Sequence, residues 1–208
     1  SRDRTNFFQI IPSNYLSTPL WMESDRMQYL LPTLTQGKLD NQREVVKNER
    51  RQRNENAPYG MAQVYLGELL YPPGHPYRHT PIGSHEDLTA ATLEDVKAFF
   101  QQYYVPANAA LALVGDFASA DVKGLIQTYF GSIPGGTRAA RPSAAVPAAR
   151  AEHWVKTDDV PLPRIYLAWH TPALFAPGDA ELDLLANVLT TGKTSRLYRR
   201  LVMKDRLA

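Results

Sequence analysis

The stretch KLDNQREVVKNERRQRNEN, residues 38–56, is the part of the chain from which the rest of the fold is most readily argued. It contains no glycine or proline, and charged side chains surround Val45 and Val46, as is typical of a helix that lies partly at a protein surface. Positions three, four and seven residues apart return to the same helix face. The face that carries the two valines is therefore expected to carry Gln42 and Glu49 as well.

This placement puts the carboxylate of Glu49 on the only apolar stripe of the predicted helix. Burying a carboxylate is costly unless it is paired with a cation or bound to a metal. Glu49 is therefore expected to be either a buried ion-pair partner or a metal ligand. Glu44 points to a different face, and we expect it to be a solvated partner of Lys47, three residues further along.

The composition indicates a folded protein of ordinary surface charge. The chain has 208 residues, 44% hydrophobic and 21% charged, which allows one large domain or one and a half smaller ones. Its apolar runs are too short to predict a membrane span, and a net charge of +2 with both signs interspersed does not favour nucleic-acid binding. There is no cysteine, which excludes disulfides, thiolate zinc sites and cysteine nucleophiles. The sequence begins at Ser1 without an initiator Met, and we interpret it as a piece of a longer protein.

Segments typical of helices alternate with segments typical of strands. Aromatic, β-branched or alternating patterns predict strands at residues 5–11, 109–114, 154–157 and 164–170. Helices are expected on either side of these, and the clearest local unit is helix–strand–helix: a helix start at Thr92 with Asp95 in a capping motif, the strand at 109–114, and a helix capped by Ser119. Residues 133–150 are rich in Pro, Gly, Ala and Arg and are interpreted as a linker.

No self-contained catalytic motif is complete in the sequence. His85-Glu86 begins like the H-E-x-x-H zinc-protease motif, but Thr89 stands where the second histidine is required. The other histidines lie in a Pro-rich stretch or on separate predicted strands, and the Gly-Lys-Thr at 192–194 lacks the first glycine of a phosphate-binding loop. We therefore interpret these histidines as loop and surface residues, and the Gly-Lys-Thr sequence as a chance match to a phosphate-binding loop.

Several longer motifs together resemble one known family. In chain order they are DRTNFF, SDRM, LDNQREVVKNERRQRNENAPYG, YPPGHPY, LEDVKAFFQQYYVPANAALALVGDF, YFGSIP and TSRLYRRL. They are similar to the insulinase/pitrilysin family of zinc peptidases, the processing-peptidase-like inverted zincins. The resemblance implies an α+β fold, an antiparallel sheet flanked by helices (the LuxS/processing-peptidase-like metallohydrolase fold), here expected to be truncated at both ends.

The resemblance also implies a zinc site built from two histidines of an H-x-x-E-H helix and one downstream glutamate. Glu49 matches that third protein ligand, and a water molecule would occupy the fourth coordination position of the zinc ion. H-x-x-E-H occurs nowhere in these residues, so the two histidine ligands and the general base are missing. The chain by itself is therefore expected neither to hold Zn²⁺ nor to cleave peptides.

Further roles are carried over from the family position by position. Many members have a glutamate seven residues before the metal ligand, supporting a ligating histidine, and here Gln42 stands there. Arg196 and Tyr198 match an Arg and a Tyr of the partner half that help to bind substrate in some members, and a surface ion pair is the alternative for Arg196. The implied organisation is the end of a zinc-ligand-bearing peptidase domain at 1–133, a linker at 134–152 and the start of a second domain at 153–208.

Three hypotheses about function follow. The first is a fragment of a zinc endopeptidase that acts on peptides or unfolded proteins together with a second family half or subunit. The alternative is a non-catalytic, peptidase-like subunit that serves peptide binding or assembly, and the third is an unrelated α+β domain in which Glu49 is ion-paired with an arginine. Export to a bacterial periplasm or beyond is favoured over the cytoplasm, and apolar surface left by truncation predicts self-association.

Overall fold

The computed structural model describes residues 2–148 and 150–208, and its regular elements in those ranges are all helices. The α-helices are α1 (Ser17–Thr33), α2 (Gln36–Arg50), α3 (Ala62–Leu70), α4 (His85–Ala90), α5 (Leu93–Tyr103), α6 (Ser119–Phe130) and α7 (Asp179–Thr190). Short 3-10 turns occupy Ser13–Tyr15 and Pro106–Asn108, and π-helical turns occupy Arg51–Glu55 and Tyr198–Lys204.

The predicted α+β fold with an antiparallel sheet is wrong for the part of the chain that the structure describes. None of the segments 5–11, 109–114, 154–157 and 164–170 forms a strand there. Their apolar side chains are largely exposed, with Ile10, Val114 and Ile165 at 93%, 98% and 85%. Alternating apolar residues indicate a surface that a strand would bury, but a strand also needs a neighbouring strand to pair with, and the described residues contain no strand.

The chain divides into two compact units. One extends up to Val146 and also includes Lys156–Pro161, and the other consists of Pro147–Val155 and Leu162–Ala208. The domain limits expected from the sequence, at 133 and 153, stay a prediction, because compact units need not coincide with domains.

The core of the first unit forms where α1 packs against α5 and α6. Leu20 of α1 is 2% exposed and Val122 of α6 is 5% exposed. Ser24 lies one turn after Leu20 on the same face of α1, and its hydroxyl donates to the Trp21 carbonyl at 2.8 Å, which satisfies a buried polar group. Few apolar side chains are fully buried among the described residues, and hydrogen bonds between elements also hold this unit together.

The start of α5 confirms the capping motif that the sequence predicts. The Asp95 backbone N–H donates to the Thr92 hydroxyl oxygen at 3.1 Å, and the Thr92 backbone N–H donates to the Asp95 carboxylate at 2.9 Å. The hydrogen bonds from Thr92 hold the pKa of the Asp95 carboxyl below its usual value. These reciprocal bonds satisfy two N–H groups that the first helical turn leaves without partners.

Large apolar side chains remain exposed in both units, among them Phe8, Trp169 and Phe175 at 81%, 69% and 92%. The self-association expected from the sequence stays a prediction. Among the described residues, no helix has both the length and the apolar character needed to cross a membrane.

Gly67 and Gly124 give a prediction about packing, because both lie inside helices but differ in the space around them. A Cβ on Gly67 would lie 2.6 Å from the Arg78 carbonyl oxygen, whereas one on Gly124 would meet nothing within 4 Å. Gly67→Ala is therefore expected to lower the free energy of unfolding by about 1–3 kcal/mol. Gly124→Ala should raise it by up to about 1 kcal/mol, because alanine favours helices. Urea unfolding followed by circular dichroism measures both, and equal stabilities would contradict the packing of α3.

Candidate metal-ligand site

Helix α2, which carries Glu49, has stabilising residues at both ends. Thr35 is its N-cap, and its side-chain oxygen accepts a hydrogen bond from the Lys38 backbone N–H at 3.4 Å. Lys47 and Arg50 lie in the last turn, where positive charge interacts favourably with the helix dipole. The helix continues directly into the π-helical turn Arg51–Glu55. The long helix predicted over residues 38–56 is thus confirmed in its essentials, with a change of helix type near its end.

The face of α2 that lies against the protein differs from the predicted one. Val45 is 50% exposed and points outward, whereas Val46 is half-buried, so the stripe through both valines is not the inward face as a whole. The side chains of Arg43, Lys47 and Arg50 are only 16%, 14% and 10% exposed. These positions are four and seven residues apart and share one face. Counting apolar residues missed this face because long cationic side chains can bury their stems while their charged ends find partners.

Glu49 lies at the edge of that face, with its side chain 39% exposed. Its carboxylate is 2.5 Å from the guanidinium of Arg53, one turn further along, whose side chain is 76% exposed. An exposed pair of this kind contributes well under about 1 kcal/mol. Glu49 therefore lies in a partly exposed ion pair rather than the buried one expected as its first role. Its second expected role, as a metal ligand, stays a prediction.

The other predicted residues of α2 have ordinary surface environments. Gln42 is exposed, two turns before Glu49 on the same side of the helix. Glu44 is ion-paired with Lys47 at 3.2 Å, which confirms the predicted solvated pair. Within residues 2–148 and 150–208, no three His, Cys, Asp or Glu side chains are placed to hold a metal ion together.

Glu55, in the π-helical turn that follows α2, was not predicted as a site residue, yet it has more side-chain contacts than Glu49. Glu55 accepts a hydrogen bond from Arg50 Nε at 2.9 Å, and His85 Nε2 lies 2.9 Å from the same carboxylate. The hydrogen bond with His85 is the largest cause that holds the pKa of Glu55 below its usual value, and Arg50 acts in the same direction. We call Arg50, Glu55 and His85 the Arg50 cluster.

The Arg50 cluster gives a prediction about pH. Because the pKa of Glu55 is lower in the folded chain than its ordinary value of 4.5, its stabilising effect is complete above that value. It is lost as the pH falls below 4.5 and through the folded pKa. We expect Glu55→Gln to lower the free energy of unfolding at neutral pH and to differ less from the wild type in acid. Urea midpoints measured for both chains across this range test the prediction, and a difference that grows on acidification would contradict it.

Arg196 and Tyr198, the predicted substrate-binding residues, lie in the second unit. Arg196 is exposed and lines an open cleft of about 480 Å³ with Arg199, Arg200, Met203 and Lys204. Tyr198 is half-buried and lines a neighbouring cleft of about 540 Å³. The structure does not bring the two side chains into one cleft, and their role in binding peptides stays a prediction.

The fold and site therefore describe a helical chain with an accessible glutamate on a charged helix, and comparison with known proteins gives its class. Residues 90–208, more than half of the chain, match the family model of the peptidase M16 inactive domain. The chain belongs to the M16 peptidase family, which confirms the resemblance found from its motifs.

Particular relatives can then be named. The chain is 36% identical over 171 residues to the zinc protease PqqE of Helicobacter pylori, an alignment that covers 80% of this chain and 38% of the relative. It is also similar to the crystal structure of a protease from Helicobacter pylori, with a TM-score of 0.73, 30% identity, and coverage of 94% of this chain and 47% of the other. The chain thus spans less than half the length of the proteins it matches.

Proposed function

We propose that this chain is part of a zinc-dependent endopeptidase, that Glu49 supplies one carboxylate ligand to the metal, and that the chain by itself does not cleave peptides. The observation that carries the proposal is the state of Glu49 in a chain of a peptidase family. Its carboxylate is accessible and its partner Arg53 is an exposed cation, so a metal could replace that partner at little cost.

A single carboxylate fits one position of a tetrahedral zinc site but cannot form the site alone. The remaining protein ligands would have to come from residues outside the described ones, because those form no group suited to a metal. Zinc, when bound, would polarise the scissile carbonyl and activate a water molecule. Glu49 would hold the metal from the α2 side, and the exposed amide of Gln42 would hydrogen-bond to an incoming histidine ligand and fix its orientation.

The rest of the proposal concerns substrate and partners. Extended peptides or unfolded proteins would be the substrate, and a second half or subunit of the same family would complete the site. The likeness to a zinc protease of Helicobacter pylori, of which the chain covers 38%, supports a peptide or protein substrate. Arg196 and Tyr198 would contact the peptide, and a periplasmic or secreted location is favoured over the cytoplasm.

A non-catalytic role in peptide binding or assembly is the second candidate. It is favoured by the match to an M16 inactive domain over residues 90–208. That match begins well after α2, however, and therefore says nothing about the helix that carries Glu49. The peptidase hypothesis is preferred because a half without a metal has no need of a glutamate at the ligand position.

Metal analysis after dialysis separates the two candidates. It should be made on the 208-residue chain and on the same sequence extended upstream by about one domain's length. We expect stoichiometric zinc, and peptide cleavage that a chelator abolishes, only in the extended chain. Absence of zinc from both chains would overturn the peptidase proposal and favour the non-catalytic subunit.

A further inference from the structure

The end of α2 is built around a π-helical turn that begins immediately after Arg50. The Asn56 backbone N–H donates to the Arg51 carbonyl at 2.7 Å, closing a five-residue turn. The side-chain bond from Arg50 Nε to Glu55 also joins residues five apart. Single π-helical turns are rare and often occur at functional sites. The bond from Arg50 to Glu55 has the spacing of the turn, as does the bond from Arg200 to Asp205 at the second π-helical turn, so it is the attachments of Arg50 elsewhere in the chain that distinguish it.

The same residues attach this turn to a distant part of the chain. Arg50 is the most buried residue of α2, and its Nη1 donates to the Gly83 carbonyl at 2.5 Å. His85, the first residue of α4, contacts Glu55 through Nε2. The Arg50 cluster therefore joins the end of α2 to the start of α4.

Two turns earlier, α2 is held to the other end of α4. Arg43 Nε donates to the Leu88 carbonyl and its Nη2 donates to the Ala91 carbonyl, both at 2.7 Å. Arg43 and Arg50 are seven residues apart and share a face, so two points of attachment fix the rotation of α2 about its own axis. Removing the contacts of Arg50 would leave the attachment by Arg43 in place but would free the end of the helix that carries Glu49.

Glu49 depends on that rotation because it is adjacent to Arg50. Successive residues on an α-helix point about 100° apart, so the direction of Glu49 follows directly from the direction in which Arg50 is anchored. Ligand distances in metal sites are defined to within about 0.2 Å. A small rotation of this end of α2 would therefore carry the carboxylate out of range of a metal.

We propose that Arg50, Glu55 and His85 are positioning residues, which fix the direction in which α2 presents Glu49. The attachment of α2 to α4 stands on the contacts alone, whereas its consequence for zinc rests on the proposed function. None of the three side chains has to touch the metal or the substrate.

Two measurements test the inference, using Glu55→Gln and, as the matched control, Glu44→Gln. The control removes a carboxylate of the same helix whose side chain is 60% exposed. Amide hydrogen exchange is measured over residues 51–56 and 83–91 of the 208-residue chain. Zinc affinity is measured in the chain extended upstream. For Glu55→Gln we expect exchange at least about tenfold faster in both segments and zinc binding about 10–100-fold weaker, with no change in the control.

A second set of variants keeps the test informative if Glu55→Gln folds poorly. His85→Ala removes one contact of Glu55 and leaves the bond from Arg50 in place, so we expect a smaller effect in the same direction. His85→Gln places an amide nitrogen near the position of Nε2, and we expect it to restore most of the zinc affinity. A role in stability alone would not predict this recovery at the metal.

The outcomes separate the inference from the proposed function. Unchanged exchange in Glu55→Gln and His85→Ala would overturn the attachment of α2 to α4, whatever the result with zinc. Faster exchange with unchanged zinc affinity would overturn the positioning role. A wild-type extended chain that binds no zinc would overturn the proposed function itself, and with it the consequence for zinc.

Discussion

Replacing Arg50 with alanine is expected to lower the free energy of unfolding by about 2–3 kcal/mol. We expect this to be the largest loss of stability from replacing any single charged residue of α2. Its side chain is 10% exposed and bonds to both Glu55 and the Gly83 carbonyl. Removal of Arg50 takes its ionic partner from Glu55, which keeps the contact with His85, and takes a hydrogen-bond donor from the Gly83 carbonyl. The loss should stay below that of a fully buried pair because the Glu55 side chain is 32% exposed and can be rehydrated.

Arg53→Ala is the matched control for this prediction. Arg53 lies three residues further along, and its side chain is 76% exposed in its pair with Glu49. We expect its removal to change the free energy of unfolding by less than about 0.5 kcal/mol. Urea unfolding of the wild type and both variants, at the same pH and salt, gives the comparison. If the two variants were equally stable, the contacts of Arg50 would contribute nothing beyond those of a surface charge.

The helices could be predicted from the sequence, but the prediction of a sheet was wrong for the described residues. Helical signals are local: the Thr92–Asp95 capping motif and the long charged run of α2 act through bonds within a few residues, so each was correctly placed. A strand depends on a distant partner for its hydrogen bonds. Residues 164–170 alternate as a strand would, yet they form no strand, and no neighbouring strand is present within the described residues.

The candidate site was predictable only in part, for a similar reason. The helix that carries Glu49 and the Glu44–Lys47 pair follow from spacing along one helix. The contacts of Arg43 and Arg50 join α2 to backbone carbonyls 33 to 48 residues away, and no local pattern indicates them. The seven-residue spacing of two arginines was the available signal, but arginine stems were not counted as surface that can be buried.

Glu49→Gln is expected to have little effect on the short chain and a large effect on zinc binding by the extended chain. In the 208-residue chain it should change the free energy of unfolding by less than about 0.5 kcal/mol, because it removes only an exposed pair with Arg53. In the extended chain it should weaken zinc binding at least about a hundredfold, more than the loss of an outer hydrogen-bond partner causes. An amide keeps the size of the side chain but not the negative charge that a zinc ligand supplies.

The contrast between the two chains distinguishes a metal ligand from a structural carboxylate. A purely structural Glu49 requires the variant to destabilise the short chain and leave zinc unaffected in the extended one. A metal ligand requires a short chain of unchanged stability and an extended chain that loses its zinc. Glu44→Gln controls for the loss of one negative charge from the same helix, since Glu44 is also ion-paired and more exposed. If both variants lost zinc equally, the effect would be one of net charge, and Glu49 would have no special role at the metal.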